Sequence, residues 1–105
     1  MVFKVKYSDP AALDLAEIIK YISVDLCNSQ AAERFLGAVG QKLVELREYP
    51  YKFPLYHDEK LRAEGIRFIV IGNYLLFYIV DDSKKIVTIV RILYGKQDIP
   101  SVFDQ

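Results

Sequence analysis

The chain has 105 residues, one cysteine and one histidine, and its 14 Lys and Arg balance its 14 Asp and Glu. That length forms one domain, residues 1–105, around a single core, and zero net charge gives no electrostatic reason for nucleic acid or an anionic membrane as partner. Cys27 has no partner for an internal disulfide, no apolar run reaches the ~18 residues of a membrane span, and no secretory leader is visible, so the expectation is a cytoplasmic protein with no membrane association.

In chain order, Val2 to Tyr7 predicts a strand, since Phe3, Val5 and Tyr7 alternate with Lys4 and Lys6 as on an edge strand with one buried face. Ser8-Asp9-Pro10 then opens a helix: Asp9 suits the N-cap, and Pro10 the first helical position, where its missing N–H is no loss. The helix is expected to reach about Leu26, with Leu15, Ile18, Ile19, Ile22 and Leu26 as its core stripe. Leu13 and Val24 fall on the opposite side as a weak second apolar strip. Asn28-Ser29 caps a second helix whose stripe is Ala32, Phe35, Leu36, Val39, Leu43 and Leu46. It ends at Tyr49-Pro50, because the proline ring disfavours helical geometry at Tyr49. The short link makes the two helices antiparallel neighbours. From Tyr49 to Glu64 periodicity disappears, which predicts a long irregular strap pinned by Tyr49, Phe53, Leu55 and Tyr56, with Lys52, His57, Lys60 and Arg62 left outside.

Gly65 to Asp98 predicts a three-stranded meander over Ile66–Ile71, Tyr74–Val80 and Ile86–Tyr94, each run rich in β-branched and aromatic residues. Gly72-Asn73 reads as a two-residue type II′ turn and Asp81 to Lys85 as a longer polar one. On the second of these strands Tyr74, Leu76, Tyr78 and Val80 oppose Leu75, Phe77 and Ile79. On the third, Ile86, Thr88, Val90, Ile92 and Tyr94 oppose Val87, Ile89, Arg91 and Leu93. Neither face is polar, so the sheet needs cover on both sides. The expected fold class is α+β, a two-helix hairpin on a mostly antiparallel four-stranded sheet in the order β-α-α-β-β-β.

Motifs are mostly absent. There is no P-loop, dinucleotide fingerprint, HExxH, CxxC or nucleophile elbow, and one Cys with one His excludes a Cys/His zinc site within the chain. Neither a metal nor a cofactor is expected, and Asp81-Asp82 reads as a charged turn. His57 is either a general acid or base, the role for which imidazole chemistry suits histidine in general, or a solvated side chain. Arg67 and Arg91 lie inside predicted strands, where an unpaired guanidinium is costly. Each either pairs with a carboxylate or emerges on an open face as part of an anion site.

VKYSDPAALDLAEIIKYI, AAERFL, EYPYKFPLY, LRAEGIRFIVIGNYLLFYIV and RILYGKQD, in this order, resemble the RelE/ParE family of small bacterial toxins from type II toxin–antitoxin systems. The resemblance implies a toxin neutralised in a hetero-oligomeric complex by a cognate antitoxin, whose flexible segment would cover Leu13 and Val24 and the sheet residues Leu75, Phe77 and Ile79, supplying the second half of the core. It also implies that the first strand lies beside the last. RelE-like members cleave messenger RNA on the ribosome, using basic side chains to stabilise the transition state. That role would fall here to Arg67, Arg91, Tyr94 and Lys96, with His57 or Tyr94 as proton carrier. ParE-like members inhibit DNA gyrase without such a site. Where the nucleases carry arginines, this chain has Leu75 and Gln97, so the resemblance favours the ParE-like side. An inert member that only binds antitoxin is the third possibility.

Overall fold

The computed structural model describes residues 2–104. Strand β1 (Lys4–Tyr7) leads into helix α1 (Asp9–Lys20), which continues without a break into a π-helical turn (Tyr21–Asp25). Helix α2 (Ser29–Glu48), a short helix α3 (Glu59–Ala63), strands β2 (Arg67–Ile71), β3 (Tyr74–Asp81) and β4 (Ile86–Tyr94), and a terminal helix α4 (Ile99–Phe103) complete the chain. The class is α+β, as expected, and none of the described helices is long and apolar enough to cross a membrane.

Local chemistry sets most of the boundaries. The N-cap of α1 is Ser8 and not Asp9: the Ser8 hydroxyl accepts from the Ala11 amide, which moves Asp9 into the first helical turn. Asn28 caps α2 in the same manner, accepting from Ala31. Gly72 has φ +60° and Asn73 is not left-handed, which agrees with a type II′ turn and its register of Ile71 opposite Tyr74. The strap is less irregular than expected, because the Asp58 carboxylate accepts from Leu61 and starts α3.

The sheet order is β1-β4-β3-β2, with β1 parallel to β4 and the other pairs antiparallel. Helices α1 and α2 cover one face. Ile18, Phe35, Val39 and Leu46 bury against Ile69, Leu76, Tyr78, Val87, Ile89 and Ile92 there. The other face carries a smaller core of Tyr56, Leu61, Ile66, Phe77, Leu93 and Ile99, supplied by the strap, α3 and α4. This corrects the expectation that an antitoxin completes the second core: over this part of the sheet the chain covers itself. Edge-on aromatic contacts run from Phe68 through Tyr56 and Phe77 to Phe103, with ring centroids 5.2–5.3 Å apart.

Two expected stripes are not fully buried. Leu26 is 55% exposed, because the π turn advances the helix by a different angle per residue and rotates Leu26 off the α1 stripe. Leu36, at 49%, lies at the outer margin of α2. Tyr49 was expected to pin the strap but is exposed, whereas Tyr56 is buried and Phe53 and Leu55 are half-buried.

Candidate functional site

Strand β4 does not keep a single alternation. The register shifts between Phe77 and Tyr78 of β3, where Phe77 faces Arg91 while Tyr78 faces Ile89, so Val90 is the extra residue of a β-bulge. Before the bulge Val87 and Ile89 point to the helices; after it Ile92 does, with Val90 and Leu93 on the strap side. A straight strand would have aimed Arg91 into the helix-side core beside Ile89. The charge arriving on an apolar face was the signal in the sequence that this alternation had to break.

The bulge falls where β1 has ended, and the start of α1 takes over the open edge of β4. The Ser8 amide donates to Ile89 and its hydroxyl to the Val90 carbonyl. Asp14 accepts from the Ile92 amide at 3.0 Å, and holds Arg91 bidentately, from Nε at 2.7 Å and Nη2 at 2.9 Å. This paired, mostly buried carboxylate keeps the guanidinium pKa above its ordinary value. Of the two alternatives for Arg91, the carboxylate pair is the one realised.

Arg67 is elsewhere. It donates to the Phe53 carbonyl at 2.6 Å and its guanidinium lies 5.1 Å from the centroid of the Tyr51 ring. It pairs with Tyr78 on β3, so that strand separates it from Arg91 on β4. Neither the carboxylate pair nor an open anion site describes it: a backbone carbonyl and an aromatic face satisfy it. His57 is exposed in the strap, its ring 4.3 Å from that of Tyr56. Lys96 is exposed in the turn after β4. The structure thus brings Arg91 and Tyr94 to one corner and leaves Arg67 and His57 outside it.

At that corner the open groups are aromatic and acidic. Tyr94 faces Tyr74 across the β3–β4 pair, centroids 5.8 Å apart, and Tyr74 in turn meets Phe35 edge-on. A cleft of about 530 Å³ is lined by Asp14, Glu17, Tyr21, Tyr74, Arg91, Tyr94 and Gln97 among others. A second, of about 770 Å³, shares the three tyrosines and extends over Ile22, Leu26, Ala31 and Asn73. Burial pushes the Tyr74 phenol up, and the neighbouring phenols of Tyr21 and Tyr94 add to this. The sequence reading placed Tyr94 at a site but missed Tyr21 and Tyr74, because the π turn that presents Tyr21 has no signature in apolar periodicity.

The expected partner surface divides in two. Leu13 is 65% and Val24 60% exposed, and Ile79 and Leu75 remain partly accessible. Phe77 is fully buried under Tyr56 and Phe103 and is not available to a partner.

The family model for the ParE toxin of type II toxin–antitoxin systems, parDE, matches residues 5–99. The chain belongs to the ParE toxin family. Among solved structures, a chain of the chromosomal ParDE toxin–antitoxin system from P. aeruginosa superposes with a TM-score of 0.71 at 18% identity, over 90% of this chain and 98% of that one. The RelBE2 toxin–antitoxin complex from Mycobacterium tuberculosis gives 0.66 at 23% identity, over 90% and 99%. The intact RelBE complex from E. coli gives 0.61 at 18%, over 90% and 99%. At these identities the likeness is one of fold, shared by both branches of the RelE/ParE group. No curated protein sequence matches the chain. As a ParE-family chain it is the toxin component of a type II toxin–antitoxin system, and its β1-α1-α2-β2-β3-β4 frame is the one those toxins share.

Proposed function

We propose that this ParE-family toxin acts in the ParE manner, arresting replication through DNA gyrase, and that a cognate antitoxin neutralises it. The observation that carries this reading is the disposition of its two half-buried strand arginines. Arg91 is bound at both its Nε and Nη2 by Asp14, and Arg67 is turned onto the Phe53 carbonyl with β3 between them. Ribose-directed RNA cleavage needs a positioned base and uncommitted cations aimed at one phosphate. Tyr94 and Lys96 by themselves supply no such set, and the carboxylates of Asp14 and Glu17 stand where a phosphate would have to come. The partner half of the proposal is supported by the similar structures, several of which are toxin–antitoxin complexes. Exposed Leu13 and Val24 give such a segment apolar surface to cover.

Controlled expression of the chain alone in a bacterial host tests this, with incorporation of DNA and protein precursors followed separately. An early fall in DNA synthesis is the expected result, accompanied by inhibition of gyrase supercoiling by purified chain. An immediate fall in protein synthesis that Arg91→Ala abolishes would instead establish the ribosome-directed nuclease. Normal growth would mean an inert, antitoxin-binding member.

A further inference from the structure

The cleft at the tyrosine corner has the walls of a cation site, and the gyrase and antitoxin readings do not use it. Tyr21 and Tyr94 remain 47% and 43% exposed, so burial in the core does not explain why these two rings converge with that of Tyr74 on the same two clefts. The local charge is acidic. Asp14 pairs with Arg91, while the exposed Glu17 on the same wall, close enough to act on the Arg91 charge, makes no ion pair among the described residues, which leaves this cleft lined by two carboxylates and one guanidinium. An anionic or phosphate-bearing ligand is therefore disfavoured. The adjoining floor is apolar, and it exists because the π turn swings Leu26 out of the core to lie with Ile22 beside the rings.

We propose that this cleft binds an arginine side chain presented by a partner protein, the guanidinium resting on the tyrosine faces and forked onto Glu17, with an apolar neighbour of that arginine seated on Ile22 and Leu26. Guanidinium fits better than ammonium. It is planar, stacks on aromatic rings, is less strongly hydrated, and offers two parallel N–H groups to a carboxylate. The two clefts share the three tyrosines and between them reach from Glu17 to Leu26, so an arginine and one flanking side chain would use both, whereas a lone cation would leave the Leu26 end unfilled. The inference goes beyond the proposed activity, and binding to the purified chain tests it whatever the cellular target is.

The test is a titration of the full chain with the peptide acetyl-Leu-Arg-Leu-amide, followed by NMR of the tyrosine ring signals. Saturable shifts at Tyr21, Tyr74 and Tyr94 are expected. Affinity should fall about fivefold or more when citrulline, the uncharged isostere, replaces the arginine of the peptide, and by a similar factor in the Glu17→Gln protein. Both Glu17 and Tyr94 are exposed enough that Glu17→Gln and Tyr94→Leu should melt with the parent, so lost binding would report the site and not the fold. Equal affinity for the citrulline peptide, or absence of shifts at the three rings, would overturn the proposal. Arginine amide binding as tightly as the peptide would overturn the protein partner in favour of a free guanidino compound.

Discussion

Tyr78 illustrates how a single polar atom is accommodated in the helix-side core. Its side chain is fully buried, its hydroxyl donates to the Pro50 carbonyl at 2.7 Å, and burial pushes its pKa up to about 12. Because the folded value lies above the ~10 of an unfolded chain, the native state holds the proton more tightly. The corresponding stability is present below pH ~10 and is lost as pH rises towards 12, a loss on the order of 2 kcal/mol. Denaturant titrations between neutral and strongly alkaline pH should show that decline, and Tyr78→Phe should flatten it. At neutral pH the same variant should cost about 1 kcal/mol, since the Pro50 carbonyl loses its donor. The residue Asp14 has a different task. It satisfies both Arg91 and the Ile92 amide on an edge where β1 has run out. Asp14→Ala leaves a half-buried guanidinium and an amide without acceptor, so a loss of roughly 2–3 kcal/mol is expected. Calorimetry should register this as a fall of about 10 °C or more in Tm.

Among the elements, the terminal helix α4 is the informative one. Pro100 and a capping position at Asp98 start it, but its attachment is tertiary: Ile99 is buried, Val102 and Phe103 are half-buried, and Phe103 meets Phe77 edge-on. The tail is thus part of the strap-side core. Truncation after Pro100 uncovers the Phe77 ring and should lower stability by about 1–2 kcal/mol, read as a Tm lower by about 5–10 °C. Lys60 also ties α3 to this helix through Asp104, at 2.9 Å, but both side chains are mostly exposed. Lys60→Ala should therefore leave Tm unchanged, because solvent and salt screen such a pair. The contrast between the two variants separates apolar docking of α4 from its surface ion pair.

For the whole molecule, the sheet with two apolar faces has two different solutions. The helical hairpin covers one face along its length, and the strap with α3 and α4 closes the other around Phe77. Of the apolar surface left over, Leu13 and Val24 lie on the outer side of the helices, while on the sheet Val70 and Ile79 stay open beside the closed centre at Phe77. Leu13→Glu should accordingly leave Tm within about 2 °C of the parent and yet weaken co-purification with a co-expressed antitoxin. Restored growth arrest in the presence of that antitoxin is the cellular measurement of the same effect. Unchanged neutralisation would move the contact away from this strip.

The helices, the meander, the Gly72 turn and the double-sided apolarity of the sheet were legible in the sequence, because each is decided by residues within a few positions of one another. Periodicity reports a helix face, and the first position of a two-residue type II′ hairpin loop favours glycine from local backbone sterics. The aromatic content of the strap was legible for the same reason. The disposition of the site was not. Asp14 and Arg91 are 77 residues apart, and only the parallel docking of β1 beside β4 brings α1 to the strand edge where the pair forms. The bulge at Val90, the π turn that turns out Tyr21 and Leu26, and the burial of Phe77 are likewise answers to tertiary packing. A charge had to leave an apolar face, and a sheet face had to be covered by whichever segment of the chain could reach it. Local sequence determined the elements of this toxin; long-range packing decided which of its charges and rings remain free to act.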